Sequence, residues 1–181
     1  MNTPSAKLLV LTGDKFACIK IIGRANFNSS IDFKTLVNEL KAKGFSYFVL
    51  DLSECLLMDS TFLGVLAGFG LKFNTGDPDH DGRQIELYNP NPRITELLEN
   101  LGVLHLFRFA EEVDLPPSAG VKEVEPGNPT KEQVTNACLE AHRTLMELNP
   151  GNVARFKEVT QFLAEDLKRM KKSEPAPAQN G

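Results

Sequence analysis

The residues best suited to chemistry follow a strand predicted at 47–52. Asp59, Ser60 and Thr61 stand where a short loop ends and an apolar helix is predicted over Ser60–Asn74. The first N–H groups of a helix have no partner within the helix, and the helix dipole adds positive charge there. A hydroxyl at this position can therefore carry a phosphate group. Without further context, a serine after an aspartate at a helix start is more often only a cap.

Other polar clusters indicate chemistry less strongly. Residues 77–82 have the Asp-x-Asp-x-Asp-Gly start of a calcium loop, but Tyr88 stands where such a loop needs a bidentate glutamate. His80, His105 and His142 are scattered, and no Cys/His pair has zinc-ligand spacing. No nucleophile–base arrangement or acid–base pair can be assembled. We therefore expect no enzyme, no metal site and no cofactor.

The apolar pattern predicts the elements that must position Ser60. It switches between strand and helix periods in the order β-β-α-β-α-β-α-β. The predicted strands are 7–12, 16–22, 47–52, 85–88 and 104–109, and the predicted helices are 31–42, 60–74 and 92–101. This order implies an α/β fold with a mostly parallel sheet and helices packed on it. Gly13-Asp14 predicts a hairpin, and Ser29 or Ser30 is the predicted cap of the first helix.

Proline and glycine divide the chain near residue 114. Residues 114–129 hold four prolines and two glycines, which predicts an extended linker. Residues 130–148 and 153–170 carry apolar stripes on either side of a tight connection, which predicts an α-helical hairpin. Two helices alone bury little surface, so their remaining apolar face must be covered by the first domain, a second copy of the chain or another protein. We expect four parts: a domain at 1–113, a linker at 114–129, a hairpin extension at 130–172 and a disordered tail at 173–181.

Composition excludes several classes of protein. The chain has 181 residues, is 41% hydrophobic and has a net charge of −4, which fits a packed core without a basic stripe for nucleic acid. No apolar run is long enough to span a bilayer, and no signal-peptide pattern follows Met1. Cys18, Cys55 and Cys138 are far apart and odd in number, which is typical of a reducing compartment. We expect a cytoplasmic protein that binds neither nucleic acid nor membrane.

The segment 58–66, Met-Asp-Ser-Thr-Phe-Leu-Gly-Val-Leu, resembles the phosphorylation segment of STAS domains of the bacterial anti-sigma factor antagonist type. The β-β-α-β-α-β-α-β order and the Asn-Pro…Leu-Gly segment at 91–102 are similar to that family as well. The resemblance covers roughly the first three-fifths of the chain. It implies a STAS-like fold and makes Ser60 the phosphoacceptor. The residues it assigns to partner binding are Asp59, Thr61, Phe62, Asn26 and Leu63.

The resemblance also implies a partner switch in transcription regulation. The unmodified domain would bind a serine kinase that acts as an anti-sigma factor, the kinase would phosphorylate Ser60, and a metal-dependent serine phosphatase would reverse the reaction. Phosphorylation adds about −1.5 to −2 charge and is expected to end binding with little change of structure. Two alternatives stay open. One is a constitutive interaction or oligomerisation module, including a homodimer through the C-terminal helices. The other is a small-ligand-sensing STAS domain.

Overall fold

A computed structural model of the chain describes residues 5–74, 84–113 and 120–173. The strands are β1 (Lys7–Thr12), β2 (Phe16–Ala25), β3 (Tyr47–Asp51), β4 (Cys55–Met58), β5 (Gln84–Tyr88), β6 (Arg108–Ala110) and β7 (Lys122–Glu123). The helices are α1 (Phe27–Ala42), α2 (Ser60–Asn74), α3 (Pro92–Asn100), α4 (Lys131–Leu148) and α5 (Asn152–Ser173). The chain therefore has the predicted α/β fold followed by two helices. The calcium-loop-like segment at 77–82 lies outside the described residues.

One sheet organises the first part of the chain. Its strand order is β6-β5-β3-β2-β1-β7, with β4 paired to the end of β2. β2, β3, β5 and β6 run parallel, whereas β1 is antiparallel to β2 across the hairpin predicted at Gly13-Asp14. β3 lies in the middle of the sheet, where Phe48 and Leu50 are fully buried. A strand apolar on both faces is expected at such a central position.

A bend in β2 places the start of α2. β2 extends beyond the predicted end at residue 22 and changes its parallel partner from β3 to β4 near Gly23. Gly23 has a φ of 94°, in the left-handed region that favours glycine. The bend brings β4, a strand that the sequence did not predict, beside Ala25. The N–H of Asp59, the residue after β4, consequently donates to the Ala25 carbonyl at 2.9 Å.

The first helix begins at Phe27 rather than at residue 31, because Asn26 caps it. The Asn26 side chain accepts the N–H groups of Asn28 and Ser29, and the Ser29 hydroxyl oxygen accepts the N–H of Asn26. This reciprocal arrangement is a capping box. The prediction of Ser29 or Ser30 as the cap is therefore wrong, since both serines are buried within the helix.

The last strands also differ from the prediction. The strand predicted at 104–109 is instead a 3-10 turn at Leu104–Leu106 followed by β6. The N–H groups of Leu106 and Phe107 donate to carbonyls three residues earlier, which gives this stretch a local turn instead of a ladder. β7 lies within the segment assigned to the linker and pairs with β1. Residues 114–119 of that segment and 174–181 of the predicted tail lie outside the described residues.

α2 is apolar around most of its circumference, so the sheet alone cannot cover it. Nine of its 15 residues are buried. α2 contacts α1 and β5, and α4 packs on both α2 and α1. Leu145 of α4 is fully buried within the core cluster of the first part of the chain. The C-terminal hairpin therefore folds onto its own chain. Among the described helices, none combines the length and apolarity needed to cross a membrane.

Candidate functional site

The site begins at the junction of β4 and α2. One carboxylate oxygen of Asp59 accepts the N–H of Phe62 and the other accepts the N–H of Phe27, both at 2.8 Å. Asp59 thus caps α2 and ties it to the start of α1. Burial raises the pKa of Asp59 above its ordinary value, although the N–H groups it accepts and the nearby His142 ring oppose this shift. Asp59 is therefore a structural cap as well as the acid next to Ser60.

Replacing Asp59 with asparagine is expected to remove a pH dependence of stability. Because burial raises the pKa of Asp59 in the folded state, the folded chain binds more protons than the unfolded chain between the two pKa values. The contribution of Asp59 to the free energy of unfolding is therefore fully present below the unfolded-state pKa and is lost as the pH rises through the folded-state pKa. Urea titrations at several pH values should show the unmodified chain losing stability relative to Asp59→Asn across this window. A relative gain with rising pH would contradict the raised pKa.

The Ser60 hydroxyl meets a side chain from the C-terminal hairpin. Its Oγ lies 2.8 Å from Nε2 of His142 on α4. Nδ1 of His142 lies 2.6 Å from the Cys138 carbonyl oxygen, which can only accept, so Nδ1 carries a hydrogen. In the neutral imidazole Nε2 is then the acceptor, and the Ser60 hydroxyl donates to it. The structure thus brings a hydroxyl and an imidazole base together, although the sequence offered no nucleophile–base arrangement.

Further contacts hold α4 close to α2 around this hydrogen bond. Thr61 Oγ1 donates to Cys138 Sγ at 3.5 Å. Gly64 faces Ala141 so closely that a Cβ built on Gly64 would lie 2.8 Å from the Ala141 carbonyl carbon. The absence of a side chain at Gly64 lets the backbones of α2 and α4 approach each other.

The turn of the hairpin gives a second anchor, at the end of α3. Asn152 Nδ2 donates to the carbonyls of Leu101 and Leu145 at 2.9 Å, and Asn149 Nδ2 donates to Leu101 at 3.2 Å. These amides satisfy a carbonyl that the C-terminus of a helix leaves without an intrahelical partner. The hairpin is therefore fixed to the first part of the chain both over Ser60 and at α3.

The other residues predicted to bind a partner lie in different environments. Asn26 is partly exposed, and Thr61 is buried beneath α4. Phe62 and Leu63 belong to the core, where the Phe62 ring packs 5.1 Å from that of Phe33 between centroids. In this conformation Phe62 and Leu63 offer no surface to a partner, because they point inward from the first turn of α2.

The start of α2 also has fewer free donors than the sequence suggested. The N–H of Phe62 donates to the Asp59 carboxylate, and the N–H of Leu63 donates to the Asp59 carbonyl at 3.0 Å. The N–H of Thr61 interacts with the same carboxylate. A phosphate on Ser60 would therefore stand beside an anion that already uses these donors, and not above a row of unpaired N–H groups.

His142 is the site residue that sequence reasoning missed. It follows Cys138 by one helical turn and adjoins Ala141 on the predicted apolar stripe of α4, which places it at a packed face. That pattern does not say which element α4 packs on, so it could not connect His142 to Ser60. In the part of the chain that the structure describes, no group of three His, Cys, Asp or Glu side chains is placed to hold a metal ion.

The chain was compared with known proteins. A solved structure described as "Structure of the Anti-Sigma Factor Antagonist SpoIIAA in its Unphosphorylated Form" is 16% identical, covers 58% of this chain and 89% of its own, and has a TM-score of 0.48. No curated protein matches. The sequence model of the STAS domain matches residues 8–115, which include the whole of β4 and α2. Since this match covers more than half of the 181 residues, the chain belongs to the STAS domain family.

Proposed function

We propose that this chain is a regulatory protein-binding module that a partner serine kinase switches by phosphorylating Ser60. The position of Ser60 carries the proposal. It is the first residue of α2, it follows the Asp59 cap, and it lies in the segment 58–66 that resembles the STAS phosphorylation segment. Membership of the STAS family over residues 8–115 supports a binding role rather than catalysis.

The chemistry of the switch is a single phosphoryl transfer. A bond forms between Ser60 Oγ and the terminal phosphorus of ATP, the bond from that phosphorus to its bridging oxygen breaks, ADP leaves, and the hydroxyl proton passes to a base. The phosphate adds about −1.5 to −2 charge next to the Asp59 carboxylate. A partner packed over the start of α2 would then meet two adjacent anions. In this proposal the kinase, acting as an anti-sigma factor, binds only the unmodified chain, and a metal-dependent serine phosphatase restores binding.

Phosphorylation is expected on Ser60 and on no other residue of the α2 start. The chain is incubated with ATP and its candidate serine kinase, and mass spectrometry locates the phosphate. Ser60→Ala should lose the label. Thr61→Val removes the neighbouring hydroxyl and keeps the shape of the side chain, so a label that it retains excludes Thr61 as the acceptor. A label that persists in Ser60→Ala, or a chain that is never labelled, would contradict the proposed switch.

A second candidate is a constitutive interaction module, and apolar side chains exposed on α5 favour it. Phe162 is 60% exposed, and Val159, about one helical turn before it, is exposed on the same side of the helix. Exposed apolar side chains of this size on one helix are typical of an interaction surface. Light scattering of the full chain and of Phe162→Glu tests this function. A larger assembly that Phe162→Glu dissociates would favour it, and a monomer in both cases would contradict self-association.

A further inference from the structure

We propose that the α4–α5 hairpin is a cover over the phosphoacceptor: a docked α4 and a phosphate on Ser60 exclude each other. The inference rests on the proposed function and adds its regulation. Under it, the kinase binds the face of α2 that α4 occupies, which comprises Ser60, Thr61 and Gly64. α4 must leave that face before phosphorylation, and the phosphate then keeps it away.

The first support is the state of the Ser60 hydroxyl. It is hydrogen-bonded to His142 Nε2, with 2.8 Å between the two atoms. A phosphoryl group attached to Oγ needs more room than this gap offers, so with α4 docked the His142 ring blocks that side of the hydroxyl. The His142 ring also packs against the Phe156 ring of α5, with 5.0 Å between the two ring centroids.

The second support is the close approach of α2 and α4 beside Ser60. The backbones of Ala141 and Gly64 are so close that a Cβ on Gly64 would have no room. Beside them, Cys138 Sγ lies 3.5 Å from Thr61 Oγ1. Close-packed elements of this kind respond to added volume by separating, because small shifts cannot absorb it. A phosphate under α4 would therefore release the helix from α2.

The third support is charge. The Asp59 carboxylate lies next to Ser60, and its N–H donors are already used. A phosphate gains little from them and is repelled by the carboxylate, so it is more stable in water than beneath α4. The release exposes His142, Ala141 and Cys138 together with the start of α2. Because the coupling free energy is reciprocal, the phosphate weakens docking of α4 by the same factor by which docking disfavours the phosphorylated state.

The alkylation rate of the Cys138 thiol reports whether α4 is docked on α2. Its thiol lies between the helices, and burial together with the Asp59 charge raises its pKa, against the effect of the Thr61 hydroxyl. Cys18 and Cys55 are buried in the first part of the chain, where burial raises the pKa of each thiol to about 11. Release of α4 should therefore speed alkylation of Cys138 while leaving the other two thiols unreactive, and these two thiols report that the sheet stays folded.

The test uses the full chain with phosphoserine incorporated at position 60 by genetic-code expansion. Iodoacetamide labelling followed by mass spectrometry gives the alkylation rate of each cysteine. Cys138 is expected to react at least about fivefold faster than in the unmodified chain, the lower end of typical couplings between sites. An unchanged or slower rate would overturn the cover, for it would mean that the phosphate fits under α4, for instance paired with a protonated His142.

A matched pair of variants tests the reverse direction. Ala141→Glu places a large charged side chain between α4 and α2 without changing the α2 sequence, and Ala154→Glu makes the same change at an exposed position of α5. The serine kinase should phosphorylate Ser60 faster in Ala141→Glu and at the original rate in Ala154→Glu. Equal rates would overturn the cover. Failure to label Ser60 even in Ala141→Glu would instead contradict the proposed function. The phosphoserine chain tests the cover without any kinase, so the two failures can be told apart.

Discussion

Replacing Phe62 with alanine is expected to lower the free energy of unfolding by about 3–5 kcal/mol, the usual range for truncating a buried phenylalanine. The ring is fully buried, and it packs against Phe33, which in turn makes an edge contact with Phe69 at 5.8 Å between centroids. Truncation would leave a cavity at the first turn of α2 and remove one ring from this aromatic chain. Urea denaturation followed by circular dichroism measures the loss.

The matched control is Phe162→Ala on α5. Phe162 is 60% exposed, so its truncation should change the free energy of unfolding by no more than about 0.5 kcal/mol. The comparison separates two roles for Phe62, which the STAS resemblance places at a partner-binding surface and the structure places in the core. Equal stability of the two variants would contradict the core position and return Phe62 to the surface.

Elements with a strong local pattern could be predicted from the sequence. α2 begins and ends at the predicted residues, and β3 is central as its two apolar faces require. β4 could not be predicted in this way. It is four residues long, and its ladder exists only because β2 bends at Gly23 and offers it a partner. The start of α1 was missed because a capping box depends on the pairing of Asn26 with Ser29, and several nearby polar residues could have served.

The candidate site also combines residues that a local sequence pattern reveals with one that only tertiary packing brings in. Asp59 and Ser60 are recognisable because strand end, cap and helix start follow one another along the chain. His142 lies 82 residues after Ser60, and its part in the site depends on how α4 packs. That packing depends on a pair of small residues, Gly64 and Ala141, on different helices, and no local pattern reports their meeting. Asp59 and Ser60 could therefore be recognised from the sequence, whereas the contact between His142 and Ser60 could not.

Replacing Gly64 with alanine is expected to free α4 from α2, so that Cys138 is alkylated about tenfold faster or more. The new Cβ would lie 2.8 Å from both the carbonyl carbon and the Cβ of Ala141, and those atoms belong to a helix that Asn152 anchors at its other end. Overpacking of this kind costs about 1–3 kcal/mol, and each 1.4 kcal/mol changes an equilibrium tenfold. The higher helix propensity of alanine does not offset this effect, because it stabilises α2 whether α4 is docked or not.

Gly68→Ala makes the same change one turn further along α2 and should have the opposite effect on stability. A Cβ on Gly68 would lie 3.8 Å from the Thr144 methyl group, an ordinary van der Waals contact. Gly68→Ala should therefore raise the free energy of unfolding by about 0.5–1 kcal/mol through helix propensity and leave Cys138 alkylation slow. If Gly64→Ala leaves Cys138 as slow as Gly68→Ala does, α4 does not depend on the backbone contact at Gly64. The absence of a side chain at Gly64, four residues after Ser60, would then have no part in holding α4 over the Ser60 hydroxyl.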